Sequence, residues 1–136
     1  MQKTLIDAGP CIALFDRDDR YHDQVKKVLQ TFRGMLVTSW PVVTEVSHML
    51  DFDQRVQVNF LRWIERGAVE IAALSSDDLP GIITLTEKYA DKPMDLADAT
   101  LLIIAERENI DDILSIDRDF SIYKTARGRV LNNLLK

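Results

Sequence analysis

The residues whose types and spacing could do chemistry in this chain are acids. Asp7 closes a short apolar run, Thr4 to Ile6, and Asp117 closes another, Ile113 to Ile116. Glu45 sits at the edge of the stripe formed by Val42, Val43, Val46, Met49 and Leu50, and Asp98 stands near the head of the stretch MDLADATLLIIAEREN. Gathered at one place, four carboxylates raise one another's pKa unless a counter-charge joins them. A divalent cation is such a counter-charge. Mg²⁺ and Mn²⁺ favour oxygen ligands, keep several waters and commonly complete their shell with phosphate oxygens, so the implied substrate is a phosphate ester. Such an ion makes water a usable nucleophile and stabilises the leaving oxygen, so no nucleophilic side chain is required.

The elements that must position these acids read as strands alternating with helices. Asp-Ala-Gly-Pro after the first strand marks a strand-to-helix junction, with Pro10 suited to a first helical turn. Val25, Val28, Leu29 and Phe32 recur at helical spacing between Tyr21 and Phe32, and Gly34 precedes a second strand, Met35 to Thr38. Ser39 is placed to cap the next helix, with Pro41 in its first turn. Asp53 to Arg66 is amphipathic and ends at Gly67; Val69 to Leu74 follows as a strand, and Ser75 and Ser76 cap another helix. The stretch from Leu101 to Ile104 is apolar on nearly every side, which predicts a deeply packed helix. Ile113 to Ile116 then reads as the last strand. This alternation predicts one three-layer α/β/α domain over residues 1–136, with a parallel sheet of four or five strands. In such a sheet ligands bind beyond the carboxyl ends of the strands. Asp7 and Asp117 fall there directly, and Glu45 and Asp98 fall in helices that begin near that edge.

Composition bounds the setting. The chain has 136 residues, of which 46% are hydrophobic and 29% charged, enough for one core and unlike a disordered chain. One cysteine, Cys11, excludes an internal disulfide, and no Cys/His spacing suggests zinc. The N-terminus lacks the long apolar run of a signal peptide and no run is long enough to span a bilayer, so a reducing cytoplasm is the expected compartment. The net charge of −5 argues against holding nucleic acid over a globally basic surface. Setting the four acids aside leaves the chain close to neutral. Basic residues cluster in two places, Arg17, Arg20, Lys26, Lys27 and Arg33, and then Arg118, Lys124, Arg127, Arg129 and Lys136. If they flank the acids, they would hold phosphates on either side of a cleaved bond.

The segments TLIDAGP, VVTEVSHML, LADATLLIIAE and LSIDRDF, in this order and over nearly the whole chain, resemble the PIN domain, a family of metal-dependent ribonucleases. The resemblance is greatest to small single-domain VapC-type toxins of toxin–antitoxin pairs. It implies a Mg²⁺- or Mn²⁺-dependent endoribonuclease that leaves 5′-phosphate and 3′-hydroxyl ends. Asp7, Glu45, Asp98 and Asp117 would form the metal site, with Ser115 holding a water and Asp95 in support. It further implies a homodimer and an antitoxin partner. Ala8 departs from the Thr or Ser often found after the first acid, which removes a hydroxyl but no carboxylate.

Each residue also has a plainer reading. Asp95 and Asp98 have the spacing of a helix N-cap and its N3 partner. Asp119 points away from Asp117 if the strand stays extended. His48 and His22 read as packing or surface residues, Cys11 as a small buried hydrophobe, and Trp40 and Trp63 as core or oligomer contacts. At the level of function, the rival is a non-cleaving RNA- or protein-binding module on the same fold. A receiver-type phosphorylation domain would need an acid after a central strand and a later pocket lysine, neither of which is convincing here.

Overall fold

The computed structural model describes residues 2–92 and 94–135. Its centre is β1 (Lys3–Ile6), flanked by β2 (Met35–Thr38) and β4 (Asp112–Leu114), with β3 (Val69–Ile71) and β5 (Asn132–Asn133) outside them. All four pairings are parallel and the order is β3-β2-β1-β4-β5. Leu5 and Ile6 point to opposite faces of β1, yet both are wholly buried, as expected where helices cover both faces of a parallel sheet. The predicted α/β/α domain with a parallel sheet is therefore the observed one, with five strands.

The helices are α1 (Ala8–Phe15), α2 (His22–Thr31), α3 (Trp40–Met49), α4 (Gln54–Glu65), α5 (Leu79–Lys88) and α6 (Leu96–Glu108). α1 packs on α2, α3 and α4, while α6 packs on α5 and α3. Along α6, Ala97 to Leu102, Ile104 and Ala105 are all buried, so the helix read as apolar on most sides is indeed deeply packed. It stops where Asn109 turns left-handed (φ 56°) and returns its N–H to the Ala105 carbonyl.

The structure departs from the sequence reading at three junctions. The third strand ends at Ile71 rather than Leu74, because β2 gives up its pairing at Thr38 where the chain enters α3. β4 ends at Leu114, because the Ser115 hydroxyl captures the Asp117 N–H and curls the chain away from the extended line. β5 adds a strand after the one expected to be last. Its two asparagines have poor strand propensity, and it is held by long-range bonds, Asn132 N–H to Asp111 O and Leu134 N–H to Ile113 O.

Candidate metal and phosphodiester site

From β1 the chain runs outward to β2 and β3 on one side, then crosses to β4 on the other side of β1. The crevice beyond the carboxyl ends of β1 and β4 is thus the switch point at which open α/β sheets bind ligands. Asp7 stands on one lip and Ser115 to Asp117 on the other. Gly9 lets the lips meet, since a Cβ there would lie 3.3 Å from the Ile116 side chain.

Asp7 extends the sheet by one bond, from its N–H to Leu114 O at 3.1 Å. Its carboxylate is then fixed at both oxygens. Oδ1 accepts from the Ala8 N–H at 2.8 Å and Oδ2 from the Ser115 hydroxyl at 3.1 Å. Ser115 is itself held by Asn133, whose side chain donates to Ser115 O at 2.8 Å and accepts from Ser115 N at 3.2 Å. The serine hydroxyl thus faces the carboxylate of Asp7. Burial pushes Asp7 up to about 6 against the pull of those two bonds, and the charges of Glu45 and Asp117 push the same way.

Asp98 occupies the third position of α6, and its backbone N–H donates to Asp95 Oδ1 at 2.8 Å. The capping reading is therefore correct for Asp95 and for the backbone of Asp98. A reciprocal bond, in which the N3 side chain returns to the N-cap N–H, closes the turn at Ser75 and Asp78, whereas at α6 only the Asp95 cap forms. The Asp98 carboxylate is buried and turned toward other acids. Burial, then the charges of Asp7, Asp95 and Asp117, hold it up at about 8. Glu45 lies at the exposed rim on α3, raised first by desolvation and then by Asp95 and Asp117. Asp117 is also exposed and caps the short turn Arg118–Ser121 by accepting from the Asp119 N–H at 2.9 Å. Asp119 turns outward to Lys92, 3.4 Å away.

Two cross-links tie the acid-bearing segments together. Ser39, expected to cap α3, makes no side-chain cap and instead shares a 2.8 Å hydroxyl bond with Thr100 on α6. Thr38 reaches Ile6 O at 2.9 Å, one residue before Asp7. Asn133, Thr100 and Tyr123 were missed by the sequence reading, because nothing local distinguishes an Asn, Thr or Tyr that serves a residue far along the chain. The Tyr123 ring, clamped by Tyr89 and Phe120, is fully buried with no hydrogen-bond partner on its hydroxyl among the described residues. Burial and the charges of Asp98, Asp119, Asp117 and Asp95 push that phenol up to about 12.

Among the described residues no ion pair reaches the four acids. Among the described residues there are seven ion pairs, and their acids are Glu70, Glu108, Asp53, Asp119, Asp78, Glu106 and Asp111. None is Asp7, Glu45, Asp98 or Asp117. The basic C-terminal segment, read as a flank that would hold phosphates, is partly committed to ion pairs elsewhere. Arg127 pairs with Glu106 and Arg129 with Asp111, Lys136 lies outside the described residues, and only Arg118 lines the cavity beside Ser115 and Asp117. His48 is exposed on the last turn of α3, and His22 bonds Ala13 O at 2.7 Å, so both keep their plainer readings. Cys11 is buried, and burial raises its thiol pKa. Trp63 packs on Phe15 and Phe60, but Trp40 is 61% exposed and belongs to no core.

These donors suit a hard divalent cation: carboxylate oxygens, two of them on buried residues, with no ion pair to any of them among the described residues. Among the described residues no group of three or more acids, histidines or cysteines stands close enough to hold a metal ion without rearrangement. Mg²⁺ does not ask for one, since it is usually held by one or two carboxylates, several waters and substrate phosphates. Asp7 and Asp98 are the residues that would hold it.

A family model for the PIN domain matches residues 4–126. Ribonuclease VapC26 of Mycobacterium tuberculosis is 28% identical over 127 residues, covering 91% of this chain and 94% of that protein. Among solved structures, Mycobacterium tuberculosis VapC20, titled a sarcin-ricin loop cleaving toxin, superposes with a TM-score of 0.80 at 18% identity, covering 88% of this chain and 93% of that one. A toxin–antitoxin complex from Klebsiella pneumoniae gives 0.64 at 21%, covering 87% and 90%. At those identities the two structures speak to the fold alone.

Proposed function

The chain belongs to the PIN domain family, and from that premise we propose that it is a divalent-metal-dependent endoribonuclease acting as the toxin of a toxin–antitoxin pair. The observation that carries this reading is the convergence of Asp7, Glu45, Asp98 and Asp117 at the sheet's switch point without an ion pair to any of them among the described residues. The identity to a named ribonuclease supports the substrate class.

In this reading Asp7 and Asp98 would hold Mg²⁺ or Mn²⁺, and Asp117 and Glu45 would complete or orient its ligand set. When bound, the ion supplies Lewis-acid stabilisation of the charge that develops on the phosphate oxygens and lowers the pKa of water. Ser115 and the Ala8 N–H hold both oxygens of Asp7 in place, and Asn133 holds Ser115, so the innermost carboxylate does not have to reorganise during the reaction. Asp95 caps α6 and so fixes the turn that presents Asp98. The bond that forms is between a water oxygen and phosphorus. The bond that breaks is P–O3′, leaving a 5′-phosphate and a 3′-hydroxyl. Arg118, at the mouth, is placed to meet a flanking phosphate.

The 136-residue chain acts in this reading as one domain, in the cytoplasm; among the described residues no helix is long and apolar enough to cross a membrane. A homodimer and a bound antitoxin complete the proposal, the latter supported by the toxin–antitoxin complex that shares the fold. The test is to purify the chain free of partners and incubate it with structured RNAs in Mg²⁺ or Mn²⁺, then with EDTA. Metal-dependent cuts bearing 5′-phosphates are expected. RNA retained but uncut under every metal condition would replace the nuclease by a binding module.

A further inference from the structure

One side of α3 and the first turn of α6 flank an open groove of about 670 Å³ beside the acids, its lining including Trp40, Thr44, Glu45, His48, Asp95 and Leu96. Two large apolar side chains face solvent there. Trp40 is 61% exposed and Leu96 56%, each at the first position of its helix. Neither is needed by the core, which takes Val42, Val43 and Val46 from α3 and Ala97 onward from α6. Glu45 belongs to both groove and acid site, so the two are continuous.

We propose that this groove is a subsite for one unpaired nucleobase next to the cleaved phosphate, stacked on the Trp40 indole with Leu96 as the second apolar wall. The inference rests on the ribonuclease reading and adds to it a determinant of where the strand is gripped. An RNA whose phosphate lies at the acids must put the adjoining base somewhere within a nucleotide's reach. Phosphate is repelled from the groove by Glu45 and Asp95, whereas the flat, uncharged face of a base matches the indole. Stacking of this kind tolerates every base, because each has a π-face. It also demands a base already splayed out of a helix, so the chain should favour loops, bulges and ends over duplex RNA.

The test uses an oligoribonucleotide that the chain cuts, together with a series in which each nucleotide flanking the cut is made abasic in turn. With the parent, one abasic position should lower kcat/KM by about 5- to 100-fold, mainly through KM. Trp40→Ala should lose a similar factor on the intact RNA and nothing further at that one position, while Trp40→Phe should recover most of the loss. Because Trp40 is exposed, circular dichroism should show the fold unchanged. Equal losses by parent and Trp40→Ala at every abasic position would overturn the proposal. So would a fall in sedimentation mass in Trp40→Ala, which would give the groove to a second copy of the chain. If the parent cuts no RNA at all, the nuclease reading fails instead. The groove is then judged by anisotropy of a labelled oligonucleotide on the parent and on Trp40→Ala, with equal affinities overturning it.

Discussion

Where the strands begin, acids have partners. Lys3, opening β1, bonds Glu108 at 2.9 Å and Glu70 at 3.4 Å; Asp112, opening β4, accepts from Gln2 at 2.9 Å and from Asn132 at 3.2 Å; and Asp111 pairs with Arg129. Where the same strands end, Asp7, Asp98, Glu45 and Asp117 lie within one another's field, and none of them enters an ion pair among the described residues. The first arrangement is how a fold settles its own charges. The second costs stability in the ion-free chain, and a fold keeps such a cost at a functional site, where a bound group offsets it.

The largest effect separating the two edges should come from substituting one acid at each. Asp98→Asn or Asp7→Asn should lower metal-dependent RNA cleavage by at least about 100-fold, since even partners that act through a ligand cost about 10- to 100-fold. Asp111→Asn, at the other edge, should leave the rate within about twofold, its role there being an exposed ion pair. Both are read by initial cleavage rates at saturating Mn²⁺. Next in size is Ser115→Ala, which frees one oxygen of Asp7 and should cost about 10- to 100-fold in metal affinity or rate. An unchanged rate would mean that the bond to Asp7 does not position it for the reaction.

The third effect is on stability. In the folded, ion-free chain Asp98 and Asp7 bind protons up to about pH 8 and about pH 6, but in the unfolded chain only to about pH 4. Across that window the folded state holds more protons, so stability is full below about pH 4 and falls as pH rises toward 8. Thermal unfolding in EDTA should therefore give a lower Tm at about pH 8 than at about pH 5, and Asp98→Asn should flatten the slope. The smallest effect is Lys3→Met, which removes one exposed and one half-buried ion pair and should leave the urea unfolding midpoint nearly unchanged.

How far the sequence went depended on whether a feature is local. Asp7 and Asp117 were legible because a strand end is visible in an apolar run, and Asp98 because α6 announces itself over many residues. Ser39 shows the opposite case. Its type and position say helix cap, but its hydroxyl goes to Thr100, sixty-one residues on. Asn133 reaches back to Ser115, and Arg127 and Arg129 are consumed by Glu106 and Asp111, contacts that only the folded sheet creates. Trp40 follows the same rule. At the first turn of a helix no periodicity says whether a side chain faces core or water, so its exposure had to be seen. The four acids were legible as a set, while the missing counter-charge among the described residues was not.

That missing counter-charge is tested most directly by calorimetric titration of Mn²⁺ into the RNA-free chain, alongside Asp98→Asn and Asp111→Asn. The account predicts binding by the parent, binding weakened at least about tenfold in Asp98→Asn, and no change in Asp111→Asn. Asp98→Asn binding Mn²⁺ as tightly as the parent would contradict it.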